Sequence, residues 1–141
     1  MTEQEFLDQI DCKFPYHDRD IWKRVVDTGS SISSNAAFAV LEEITRPPRS
    51  AATSLSDRME MVAHWRSGFE HPLAEEVSNL ALAQMSNSSI SPRQCLTLMD
   101  EISRYPGQYA ALNVAYFACG GVESKEAEEK WQNISEQWAA Q

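Results

Sequence analysis

A chain of 141 residues is the size of one domain, and with 43% hydrophobic residues it buries roughly two-thirds of its unfolded surface without needing a metal or disulfide framework. Cys12, Cys95 and Cys119 are odd in number and form no C-x-x-C pair, which argues against a secreted disulfide scaffold or a zinc ribbon. A net charge of −9, from 21 acidic against 12 basic side chains, argues against direct nucleic-acid binding, which needs a basic face.

The opening stretch MTEQEFLDQID is acidic and has neither the basic start nor the apolar run of a signal peptide. No window approaches the roughly 18 to 20 apolar residues of a membrane span. A cytosolic protein with no membrane contact is expected. Thr2 to Glu5 is a capping box, opening a short helix with Phe6, Leu7 and Ile10 inward. Cys12 to His17 contains Pro15 and predicts a turn, after which Asp18 or Asp20 caps a second helix with Ile21, Trp22, Val25 and Val26 along one side. Gly29 and the serines after it predict the end of that helix.

Ser33 or Ser34 starts a third helix, in which Ala37, Val40, Leu41 and Ile44 recur at helical spacing until Pro47-Pro48 stops it. Residues 47–54 form the longest unpatterned connection. Ser54 or Ser56 opens a fourth helix aligning Leu55, Met59, Val62 and either Trp65 or Arg66, closed by Gly68. His71-Pro72 and Ser91-Pro92 are start signals for the fifth and sixth helices, with proline at the first helical position. Their inner faces carry Leu73, Val77, Leu80 and Ala81, then Cys95, Leu98, Met99 and Ile102.

The stretch from Pro106 to Gly121 has no charged residue and is apolar all round the helical wheel, which predicts a buried central rod. After Gly120-Gly121, Ser124 caps a last helix striped by Ala127, Trp131, Ile134 and Trp138. No alternating strand pattern exceeds about four residues. The reading is an all-α single domain over 1–141, a compact irregular bundle of seven to eight helices around a central apolar helix. The alternative is a short α-solenoid, because from Asn35 onward the helices pair as 35–46 with 55–67, 72–87 with 92–105 and 107–119 with 124–139.

Candidate chemistry is sparse. Glu60 and His64 share a helix face and His71 follows the Gly68 break, a group that could hold a metal, although the spacing matches neither H-E-x-x-H nor Glu-x-x-His. The bland alternative makes His64 the neighbour of an intrahelical glutamate and His71 a helix cap. In His17-Asp18-Arg19-Asp20 the aspartates read as helix caps rather than metal ligands. Cys95 and Cys119 lie on apolar faces, where a thiol acts as a small hydrophobe. No nucleophile elbow, P-loop or dinucleotide fingerprint occurs. An enzyme is therefore not expected, and no catalytic residue, metal ligand or cofactor is assigned.

Charge points instead to a partner. Residues 1–20 hold six acids and two bases, and 106–141 hold five acids and two bases, so the imbalance is concentrated at the ends. The expected contact residues are Glu126, Glu128, Glu129, Trp131, Asp8, Asp11, Asp18 and Asp20, with Trp131 or Trp138 as a partly exposed anchor. By analogy with small acidic bacterial proteins, the expected function is a neutraliser, an immunity protein or antitoxin blocking a basic nuclease-type toxin. A toxin that grips nucleic acid must be basic, and an acidic plug competes for that surface while speeding encounter. A helical-repeat scaffold binding a peptide or domain and a metal-binding helical enzyme remain the alternatives.

Overall fold

Helix starts follow hydroxyl caps closely in the computed structural model, which describes residues 2–12, 19–45 and 54–141, with side chains left aside at 11, 12 and 19. In α1 (Glu3–Cys12) the capping box closes in both directions. The Thr2 amide donates to Glu5 Oε2 at 3.1 Å, and the Glu5 amide donates to Thr2 Oγ1 at 3.2 Å. Ser33 Oγ accepts from the Ala36 amide to start α3 (Ser34–Thr45), and Ser54 Oγ accepts from Asp57 to start α4 (Leu55–Gly68). Ser91 and Ser124 do the same for α6 (Pro92–Ile102) and α8 (Lys125–Ala139), with Pro92 at the start of α6.

Three expected boundaries move, each for a local reason. The second helix, α2 (Arg19–Ile32), runs through Gly29 instead of stopping there. Thr28 and Ser30 donate their hydroxyls back to the Arg24 and Val26 carbonyls, so the polar run is satisfied on the helix itself. Gly29 is instead a close-approach residue: a Cβ there would lie 2.7 Å from Val40 Cγ2 and 3.2 Å from Phe6 Cζ. The helix α5 (Ala74–Met85) begins after Pro72, because the Leu73 amide donates to His71 Nδ1 and the Ala74 amide to the His71 carbonyl, forming a tight turn. The helix α7 (Tyr109–Ala118) begins three residues after Pro106, since Gly107 takes a left-handed φ of 87°. Its Ala110 amide donates to Asn35 Oδ1 at 3.4 Å, a cap supplied from α3.

Among the described residues the chain forms eight α-helices and a 3₁₀ turn at Gly121–Glu123, with no strand. Two helices share the centre. The predicted rod α7 buries Ala110, Ala111, Leu112, Val114, Ala115 and Tyr116, while α3 buries Ala36, Ala37, Phe38, Val40, Leu41 and Ile44. They pack on each other, and every other helix rests on one or both: α1, α2 and α4 on α3, α6 and α8 on α7, and α5 on both.

That arrangement is a compact bundle. In a solenoid each hairpin touches only its neighbours, whereas here the first predicted pair (α3, α4) meets the third (α7, α8) directly through α3 and α7. The core is one contiguous cluster. One end is aromatic: Phe38 lies 5.6 Å from Trp65 and 5.2 Å from Phe69, and the fully buried Trp65 donates its indole N–H to the Ala37 carbonyl at 2.7 Å. The face of α4 is rotated from its expected setting. Met61, Val62 and Trp65 turn inward, while Leu55 and Met59 are exposed.

Candidate functional site

The apolar run of α7 does not stay buried to its end. Phe117 is 54% exposed, and Val122, in the 3₁₀ turn that follows, is 73% exposed. The helix ends at Ala118 with Cys119 as its cap, Gly120 takes a φ of 109°, and the turn projects Val122 outward. Gly121 permits the tight return, since a Cβ on it would lie 3.3 Å from the Phe117 ring.

Phe117 stands at one side of a groove of about 350 Å³, lined by Glu42 of α3, Asn113, Tyr116 and Phe117 of α7, and Glu128, Trp131 and Gln132 of α8. The Tyr116 ring links the other two, 5.2 Å from Phe117 and 5.9 Å from Trp131 by centroids. Trp131 is half-buried and held in place, because its Nε1 donates to Asn113 Oδ1 at 2.9 Å. Burial, with the nearby Glu128 charge, pushes the Tyr116 phenol above its ordinary range. A second concavity, lined in part by Gln4 and Leu7 of α1 and by Asn35 and Ala39 of α3, shares Glu42 and Asn113 with the first. The two concavities are neighbours across that shared wall, and together they make up the furrow between α1 and α8.

The last helix divides its expected contact residues between two sides. Glu128 and Trp131 line the furrow. Glu126 and Glu129 lie on the opposite flank, beside Asp100 of α6, and there Lys130 Nζ meets Asp100 Oδ1 at 2.6 Å. Of the two tryptophan rings, Trp138 is the docking one: it is buried, packs edge-on to Tyr109 at 4.9 Å and donates to the Ser103 carbonyl at 3.1 Å. Trp131 is the partly exposed one.

In α1, Asp8 is exposed and accepts from Gln4, whose side chain lines the furrow, at 2.9 Å. Asp20 is exposed in the first turn of α2. The Asp11 side chain and the whole of Asp18 lie outside the described residues, as do His17 and the basic stretch from Arg46 to Arg49. Sequence reasoning missed Glu42, Asn113, Tyr116 and Phe117 as furrow residues. No local signal separates Phe117 from its buried neighbours in an uninterrupted apolar run.

The two described histidines, His64 and His71, engage different elements. His64 Nε2 lies 2.9 Å from Asp27 Oδ1 of α2. His71 caps the turn before α5 and packs on Phe38, Phe69 and Tyr105, and burial lowers its pKa. Because its Nδ1 accepts the Leu73 amide, the neutral ring carries its proton on Nε2. Among the described residues no group of three His, Cys, Asp or Glu side chains is placed to hold a metal ion.

Cys95 and Cys119, by contrast, meet. The interaction with the Cys95 thiol, with burial, pushes the Cys119 thiol well above its ordinary range. No described helix is long and apolar enough to cross a membrane. Comparison of the chain with protein-family models, curated proteins and solved structures gives no match.

Proposed function

We propose that this chain is a protein-binding neutraliser, an immunity protein or antitoxin that covers a basic, nuclease-type toxin with the furrow between α1 and α8. The observation that carries the reading is the pairing of exposed apolar surface with acid at one place. Phe117 stands open in the same groove as the half-buried Trp131, and Glu128 lines that groove too. Exposed apolar patches mark interaction surfaces, and aromatic anchors in desolvated pockets dominate binding energy. A net charge of −9 supplies complementarity and fast encounter with a basic surface.

The alternatives draw less support. A scaffold reading needs a stacked concave array, and α3 packs directly on α7. A metal enzyme centred on Glu60, His64 and His71 needs side chains that instead engage separate elements at the two histidines.

The test is affinity capture of the tagged chain from its native cell lysate, followed by titration of the chain into a nucleic-acid cleavage assay of whatever is captured. A stoichiometric basic protein whose cleavage activity falls to background near one equivalent is expected. Glu128→Lys is expected to slow association several-fold at low salt, and the pair Glu126→Lys with Glu129→Lys, on the other flank, less so. A stoichiometric partner whose cleavage activity the chain leaves untouched overturns the reading.

A further inference from the structure

The groove at Trp131 is of a size to take one long side chain. Its volume of about 350 Å³ is at the low end of the roughly 300–1,000 Å³ of ligand pockets. Three of its lining residues are aromatic, with Tyr116 in contact with both Phe117 and Trp131, and Trp131 is pinned by its bond to Asn113. Rings alone would accept any apolar group; a carboxylate at their edge selects a cation. Glu128 supplies that charge one turn before Gln132, Glu42 of α3 is a second lining carboxylate, and none of the described lining residues is basic. Lys130, the nearest lysine along α8, is committed to Asp100 on the opposite flank.

We propose that this groove receives a single arginine side chain of the protein partner, its guanidinium stacked on the partly exposed Trp131 ring and paired with the Glu128 carboxylate. This rests on the neutraliser reading for the identity of the partner, but the recognition chemistry stands apart from it. Arginine is favoured over lysine for three physical reasons. Its guanidinium is planar and stacks on aromatic faces, it is weakly hydrated and so loses less on entering a half-buried slot, and its donor fork matches a carboxylate in two bonds at once. The amide oxygen of Gln132 is a further acceptor at the same wall. The exposed Phe117 at the same groove then packs on the apolar surface around the arginine, excluding water from the ion pair.

The experiment uses N-acetyl-arginine methylamide as the probe, titrated against the full chain and followed by nitrogen-15 NMR at the Trp131 indole N–H and the Glu128 and Gln132 amides. The lysine and citrulline analogues are run in parallel. A saturable shift confined to these groups is expected with arginine. Binding of the lysine analogue should be about three- to tenfold weaker, as loss of stacking and of the second hydrogen bond implies, and citrulline should bind not at all.

Glu128→Gln, which keeps size and polarity, should weaken arginine binding several-fold, whereas Glu129→Gln on the other flank should leave it unchanged. Equal shifts with arginine and lysine, or shifts that Glu128→Gln leaves in place, overturn the slot. Arginine binding without an inhibited nuclease partner would retain the slot and remove the neutraliser reading. An inhibited partner whose arginine-to-lysine substitutions are all neutral would do the reverse.

Discussion

Gly29→Ala tests the packing of the whole N-terminal half. In an exposed helix interior that change stabilises by about 1 kcal/mol, because alanine loses less backbone freedom than glycine. Here the added methyl meets Val40 Cγ2 at 2.7 Å and Phe6 Cζ at 3.2 Å. Val40 is fully buried and β-branched, so it has little rotamer freedom with which to retreat, and α2 must move off α3. Overpacking of this kind costs about 1–3 kcal/mol, so the net expectation is a loss of about 1 kcal/mol. For a chain of this length that lowers Tm by about 3–5 °C.

Thermal melting followed by far-ultraviolet circular dichroism measures the shift, and urea titration with an unchanged slope confirms that only stability moved. The same substitution in a Val40→Ala background supplies the decisive comparison. With the opposing methyl gone, Gly29→Ala should be neutral or stabilising there, a coupling of about 1 kcal/mol. An unchanged cost in both backgrounds, or a raised Tm in the parent, refutes the argument from close approach.

Two further outcomes follow from individual contacts. Trp65→Phe removes a buried indole that donates to the Ala37 carbonyl at 2.7 Å and leaves space between Phe38 and Phe69. Loss of the bond together with the cavity should cost about 2–4 kcal/mol in urea unfolding, and a cost under about 1 kcal/mol would show that the ring is not packed as described. Glu76 of α5 has its pKa raised, first by a hydrogen bond to Glu101 of α6, then by burial and by the Glu101 and Glu75 charges. The folded state therefore binds the proton more tightly than the unfolded chain, so this stability is present below the ordinary carboxyl range near 4.5 and is lost as pH rises through the raised value. Glu76→Gln should accordingly stabilise at pH 7 by a few tenths of a kcal/mol, discounted for solvent screening. The gain should vanish near pH 4 and shrink with added salt; a pH-independent gain would locate its origin elsewhere.

The candidate site was only partly legible. Glu128 and Trp131 stand out by type and helical spacing, and both line the furrow. Glu126 and Glu129 look equivalent to Glu128 along the chain. They fall on the far flank because the buried stripe of Ala127, Ile134 and Trp138 sets how α8 is rolled on its neighbours. Phe117 could not be told from the buried residues of α7, since exposure there depends on where α8 and the 3₁₀ turn leave the helix uncovered. The approach of Cys95 in α6 to Cys119, just past the end of α7, joins residues 24 apart, and neither neighbourhood encodes it.

What the sequence determined by itself is local. The capping box at Thr2, the serine caps at 33, 54, 91 and 124 and the inward stripes of most helices follow from hydroxyl geometry and a 3.6-residue period, which need only neighbouring residues. What only the tertiary structure decided is every case in which a distant group competes with a local signal. Gly29 serves as a close-approach point for Val40 of α3 and Phe6 of α1 rather than as a helix stop, and α7 takes its cap from Asn35, 75 residues away. The rod read as central shares that place with α3, because two apolar helices bury most by packing on each other, and the bundle closes around the pair.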